Sequence, residues 1–209
     1  MKYAVLTGDI IKSHKLSVKL SKVQELLKSI PEQFNKKYGK SIESNLDIFR
    51  GDSWQLILYQ ENLAIRLALF IKAYLLSEQN VRTRISIGIG TVDKIEKNNV
   101  SESFGKAFEL SGKGLDNLDN QQELYLATED IHMKVEIKFL DCIFKKITSR
   151  QAAALRYALL GYNQNEIAEK LERKMSNNNI TQQAVAKLLK NSCWKAVSNY
   201  LESYEQGKI

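Results

Sequence analysis

Two aspartates stand beside glycine at the ends of β-prone runs. Asp9 closes "YAVLTGD", and Asp52 lies in "LDIFRGDSWQLIL". Asp-Gly and Gly-Asp pairs between alternating apolar residues are turn signals, so one reading of Asp52 is a tight hairpin whose carboxylate faces water. The other is a carboxylate held at a hairpin tip to bind a metal. Two convergent carboxylates suit Mg²⁺ or Mn²⁺, hard ions that prefer oxygen and often carry phosphates. Lys12, Ser13, His14 and Lys15 follow the first run, where a phosphate can meet backbone N–H groups and positive charge at a helix start; a solvated helix entry is equally consistent.

These residues need a scaffold that brings them together. Residues 3–8, "YAVLTG", read as a buried strand. From Lys15 to Tyr38, apolar residues at helical spacing predict a long helix, with Pro31 as a kink or a restart. "LDIF" and "WQLILY" form a hairpin around Gly51 and Asp52. "NLAIRLALFIKAYLLSE" reads as an almost wholly buried helix, and "VRTRISIGIGTV" alternates as a strand does. The order βαββαβ is the ferredoxin-like arrangement, which sets the end of the first strand beside the tip of the hairpin. Asp9 and Asp52 are therefore expected to converge. Trp54 and Phe104 are expected in the core; Gly88 and Gly90 mark close packing or strand curvature, or else a close ligand approach; Arg82 and Arg84 share one strand face and are expected in water, the alternative being a grip on an acidic partner.

A further helix over 102–118 and a strand "ELYLAT" complete a first domain of residues 1–128. A connecting helix over 129–146 then leads to an all-α domain over 147–209. The fold class is thus α+β, a ferredoxin-like sheet domain followed by a helical one.

The chain has 209 residues, 44% of them hydrophobic, enough to bury a substantial core. The two cysteines and two histidines make no zinc pattern or disulfide framework, which with the absence of a long apolar run points to a reduced, cytoplasmic protein without a membrane partner. Charge is uneven. Residues 1–144 hold 20 basic against 19 acidic side chains, whereas 145–209 hold 11 against 5. Such a basic segment is common in nucleic-acid binders.

"LTGDIIKS", "FRGDSWQLIL", "RISIGIGTV" and "FGKAFELSGKGLD" together resemble the palm-like domain of class III nucleotidyl cyclases and, more distantly, diguanylate cyclases. They are more similar to the SatD family, with its G-D-I-I-x-S start, G-D-x-x-Q hairpin and G-x-A-F element, over residues 3–127. The resemblance implies Asp9 and Asp52 as metal ligands, Mg²⁺ or Mn²⁺ as cofactor, and Lys12, Ser13, Arg50 and Lys113 around a nucleotide. It also implies a degenerate cyclase site. Glu109 and Lys113 stand where active class III enzymes place Asn and Arg, Ile48 replaces the base-reading Lys, and Arg50 with Ser53-Trp54 departs from the diguanylate cyclase hairpin.

"TSRQAAALRYALLGYNQNEIAEKL" and "ITQQAVAKLLKNSCWKAV" resemble the helix-turn-helix of sigma factor region 4 and LuxR-type regulators. "ITQQAVAKLLKNSCWKAVSNYLESYE" reads as one long helix after the polar loop "MSNNN", and the resemblance implies that its Thr181, Gln182 and Gln183 read bases while Lys187 and Lys190 lie on phosphates of double-stranded DNA. The expected function is a DNA-binding transcriptional regulator with a cyclase-like sensor domain. The alternatives are a metal-dependent nucleotide-processing enzyme with a C-terminal docking module, and a homodimeric scaffold.

Overall fold

A computed structural model of the chain describes residues 2–16, 19–42, 44–96, 100–119, 121–174 and 180–208. Strand β1 (Tyr3–Ile10) leads through a 3₁₀ turn to α1 (Lys19–Tyr38). The hairpin β2 (Asp47–Phe49) and β3 (Ser53–Leu58), helix α2 (Ala64–Gln79) and strand β4 (Thr83–Gly90) follow. The sheet order is β2-β3-β1-β4, antiparallel throughout, the βαββαβ arrangement expected. Helix α3 (Lys106–Asp116) then feeds β5 (Leu124–Ala127), which adds to β4 in parallel.

Alternation along β1 sorts the two faces. Ala4, Leu6 and Ile10 enter the main core with α1 and α2, while Val5 joins Ile57, Val100 and Ala107 in a smaller cluster under α3. Pro31 lies inside α1 without ending it. Gly88 lets α3 sit directly on the sheet: a Cβ there would stand 2.3 Å from the Ala107 carbonyl oxygen and 2.5 Å from the Ser111 nitrogen. Phe104, expected in the core, is exposed.

Helix α4 (Ile131–Lys146) lies within the span expected for the connecting helix, with the Asp130 carboxylate accepting from the His132 and Met133 N–H groups. Next come α5 (Ser149–Leu159), α6 (Gln164–Lys174), α7 (Gln182–Asn191) and α8 (Trp194–Glu205). Thr148 and Gln151 make a reciprocal capping box at α5. The polar loop at 175–179 lies outside the described residues.

The long helix expected after that loop is two helices. Cys193 adopts φ 55°, in the left-handed region, and breaks the run between α7 and α8. The buried apolar positions there are Val185, Leu189, Val197 and Leu201.

Residues Ala64 to Leu76 of α2 are all buried, because one side faces the sheet and another packs against α5. Two of them are cations. Arg66 meets Glu205 of α8 in a two-pronged pair, at 2.5 and 3.0 Å. Lys72 donates to Glu123 at 2.8 Å and lies 4.0 Å from Asp141 of α4, while Arg82 reaches Glu123 at 3.6 Å. Burial pulls the Lys72 ammonium below its ordinary pKa, and the two carboxylates pull it back.

Two stability predictions follow from this packing. Lys72→Ala leaves the buried Asp141 and the half-buried Glu123 without their ammonium; it is expected to lower unfolding stability by about 3–5 kcal/mol, read from urea denaturation. Gly88→Ala pushes α3 from the sheet and is expected to cost about 1–3 kcal/mol by the same measurement. A loss within ±0.5 kcal/mol for either variant contradicts the contacts described.

Candidate functional site

The sheet register assembles the site. Asp9, near the end of β1, lies opposite Ser53 on one side and Arg84 on the other. The Ile10 N–H donates to the Asp52 carbonyl at 3.1 Å, which fixes the hairpin tip against the end of β1. Arg50 (φ 52°) and Gly51 (φ 85°) turn the chain there with successive left-handed residues. Gln24 of α1 holds the turn by donating its side-chain N–H to the Gly51 carbonyl at 2.7 Å.

Beneath the site, the buried Trp54 indole crosses over Gly8, where a Cβ would stand 2.4 Å from its ring. Its Nε1–H donates to Thr83 Oγ1 at 3.1 Å, and the Thr83 hydroxyl donates to the Asp9 carbonyl at 2.6 Å. The core thus sets the backbone position of the carboxylate-bearing residue.

Arg84 occupies the centre. Its Nε–H donates to Asp9 Oδ1 at 2.9 Å, and a second N–H donates to Oδ2. The Asp9 hydrogen bonds, with the charges of Asp9 and Asp52, raise the guanidinium pKa above its ordinary value against partial desolvation. Asp52 Oδ2 accepts from the Ser13 hydroxyl at 2.5 Å. On the same face, Gln55 donates to Thr7 Oγ1 at 2.7 Å, and the Thr7 and Ser111 hydroxyls lie 2.8 Å apart. A row of polar groups therefore runs from Asp9 to the underside of α3.

The structure brings Asp9, Asp52 and Ser13 together. Lys12, with φ 58°, and Arg50 are exposed on the two turns flanking that group. Lys113 is exposed on α3, and Glu109 pairs with Lys106 at 3.6 Å. Arg84 takes the less expected of its two readings: it is not left in water but grips an acidic partner, Asp9. The signal lay in the register, since antiparallel pairing of two strands sets Arg84 opposite Asp9. Arg82 likewise donates to the Phe144 and Ile147 carbonyls.

The donor set fits a divalent cation that completes its shell elsewhere. Two carboxylates and a hydroxyl offer hard oxygens, and among the described residues no group of three or more His, Cys, Asp or Glu converges. Mg²⁺ is commonly held in this way, by one or two carboxylates with waters and substrate phosphates. Arg84 shares Asp9 with any such ion.

Of the C-terminal residues expected on DNA, two make bonds within the chain. Thr181 caps α7, its Oγ1 accepting from the Ala184 N–H at 3.2 Å, and Gln182 donates its side-chain amide to Gln164 of α6. Gln183, Lys187 and Lys190 are exposed. The bundle is also bound to the sheet half: Tyr38 of α1 donates to the Leu159 carbonyl at 2.6 Å, and Arg156 pairs with Glu78.

Three solved structures show weak likeness. A bacterial light-regulated adenylyl cyclase aligns with TM-score 0.47 and 16% identity over 77% of this chain, which spans 58% of that protein. The guanylyl cyclase Cya2 aligns with TM-score 0.39 and 16% identity, over 60% of this chain and 74% of that one. The GGEEF domain of a diguanylate cyclase from Vibrio cholerae aligns with TM-score 0.41 and 14% identity, over 62% and 85%. No curated protein matches the sequence.

The expectation of a DNA-binding transcriptional regulator is corrected by these findings. A single family profile takes in the sheet and the helical bundle together, the expected recognition helix is broken at Cys193, and two of its expected base readers bond within the chain. The match to the SatD family runs over residues 3–205, and this chain belongs to that family.

Proposed function

We propose that this chain is a metal-dependent nucleotide-processing protein, binding a nucleoside polyphosphate with Mg²⁺ or Mn²⁺ at the Asp9, Asp52 and Arg84 end of the sheet. The observation that supports this is the Arg84 guanidinium gripping Asp9 while the turn that carries Asp52 is bonded to the end of β1, an arrangement set by backbone pairing of the strands. Asp9 and Asp52 would hold the cation, which neutralises phosphate charge when bound. Arg84 presents a planar fork suited to a phosphate as well as to a carboxylate. Ser13 and Lys12 add a hydroxyl and a positive charge beside Asp52.

Ring-forming cyclisation is not the chemistry we assign. The cyclase resemblance needs a polar amide and a guanidinium on the third helix, where this chain has Glu109 and Lys113. A lysine there supplies charge without a bidentate fork. Hydrolysis or transfer at a phosphate asks for less: charge neutralisation and positioning are its main demands.

Arg84 gives the site an order of events. With no nucleotide present it grips Asp9; a bound phosphate would offer the guanidinium a second partner and would free the Asp9 carboxylate to hold a cation. Titrations with the four nucleoside triphosphates and Mg²⁺ or Mn²⁺, followed by calorimetry and product chromatography, test the reading. Asp52→Asn is expected to weaken metal–nucleotide binding about tenfold to hundredfold, the range of a charge-assisted contact of ~1.5–3 kcal/mol. Arg84→Ala is expected to strengthen binding of Mn²⁺ alone while weakening the nucleotide. Wild-type protein that binds none of the four, or Asp52→Asn binding as well as wild type, would falsify the proposal.

A further inference from the structure

Helix α4 carries an apolar stripe that the fold leaves uncovered. Among the described residues four large apolar side chains are exposed, and three of them are Ile131 (69%), Val135 (48%) and Phe139 (68%). Spaced four apart, they line one side of the helix, and the exposed Cys142 continues the line. The opposite side, with Ile137, Leu140 and Phe144, is buried. Scattered exposed apolar residues are ordinary, whereas a contiguous stripe marks an interaction surface.

The charges around the stripe select its occupant. Acids stand at the start of the helix, Glu129 and Asp130, and bases at its end, Lys145 and Lys146. Glu129 is fully exposed and 4.0 Å from Lys134; Asp130 caps the helix; Lys145 donates to the Gln121 carbonyl; Lys146 is exposed. A partner helix matching this surface needs an apolar stripe with the opposite charge polarity along its length. The same helix turned end for end meets that description.

We propose that α4 pairs with α4 of a second copy, antiparallel, in a two-fold symmetric homodimer. Val135 opposite Phe139 of the second copy sets each Glu129 near Lys146 of the other and opposes the two helix dipoles. A parallel pairing places acid on acid and base on base. One helix face gives an interface below the ~1,200 Å² of standard complexes, so the dimer is concentration-dependent.

Sedimentation velocity of the full chain across micromolar concentrations tests the pairing. Wild type is expected to shift from monomer to dimer as concentration rises. Phe139→Lys, at an exposed position that leaves the core intact, is expected to raise the dissociation constant at least about tenfold with unchanged circular dichroism. Glu129→Lys is expected to weaken the dimer about two- to fivefold, and adding Lys146→Glu to restore it, the effect shrinking at high salt.

A wild type that stays monomeric, or a dimer indifferent to Phe139→Lys, overturns the proposal. Failure of the double charge reversal to restore affinity overturns the antiparallel pairing. Capture of monomeric wild type on anionic phospholipid vesicles, lost in Phe139→Lys, assigns the stripe to a membrane surface instead.

Discussion

Helix α2 is buried along most of its length, yet it carries Arg66 and Lys72. An unpaired ammonium or guanidinium inside a protein is too costly to tolerate, so each must find a carboxylate. The carboxylates come from far along the chain: Glu205 at the end of α8 for Arg66, and Glu123 before β5 with Asp141 of α4 for Lys72. Those pairings tie both the C-terminal bundle and the α4 segment to the sheet half. Hydrophobic burial supplies most of the attraction, and the two cations restrict which arrangement of the layers satisfies every charge.

The other end of the sheet solves a similar problem in a more open setting. Asp9 and Asp52 come close because β1 lies between β3 and β4, and neighbouring carboxylates repel unless a cation lies near. Arg84 supplies that cation from the adjacent strand. It is partly exposed, so the pairing is exchangeable in a way the α2 pairs are not. A site whose charge balance is met by a partly exposed side chain is suited to trading that side chain for a ligand of like charge distribution.

The C-terminal helices show how a local pattern misleads. Thr181 and Gln182 have the composition of base readers, but the first closes a helix end and the second bonds to a neighbouring helix. Capping and intramolecular pairing use the same donors and acceptors that DNA recognition does, and sequence spacing alone does not distinguish them. The basic excess over 145–209 is equally ambiguous. One of its members, Arg156, is buried against Glu78.

Much of the fold was legible from residue order. The βαββαβ pattern followed from period-two and helical apolar spacing, and the connecting helix before the bundle from the same periodicity. The pairing of Asp9 with Asp52 followed from strand order. The partner of Arg84, the exposure of Phe104, the break at Cys193 and the uncovered face of α4 did not. Local sequence dictates where backbone hydrogen bonds and apolar periodicity can form, because those depend on near neighbours. Which charge meets which, and which apolar face is left over, depends on how the layers stack, and only the tertiary structure decided that.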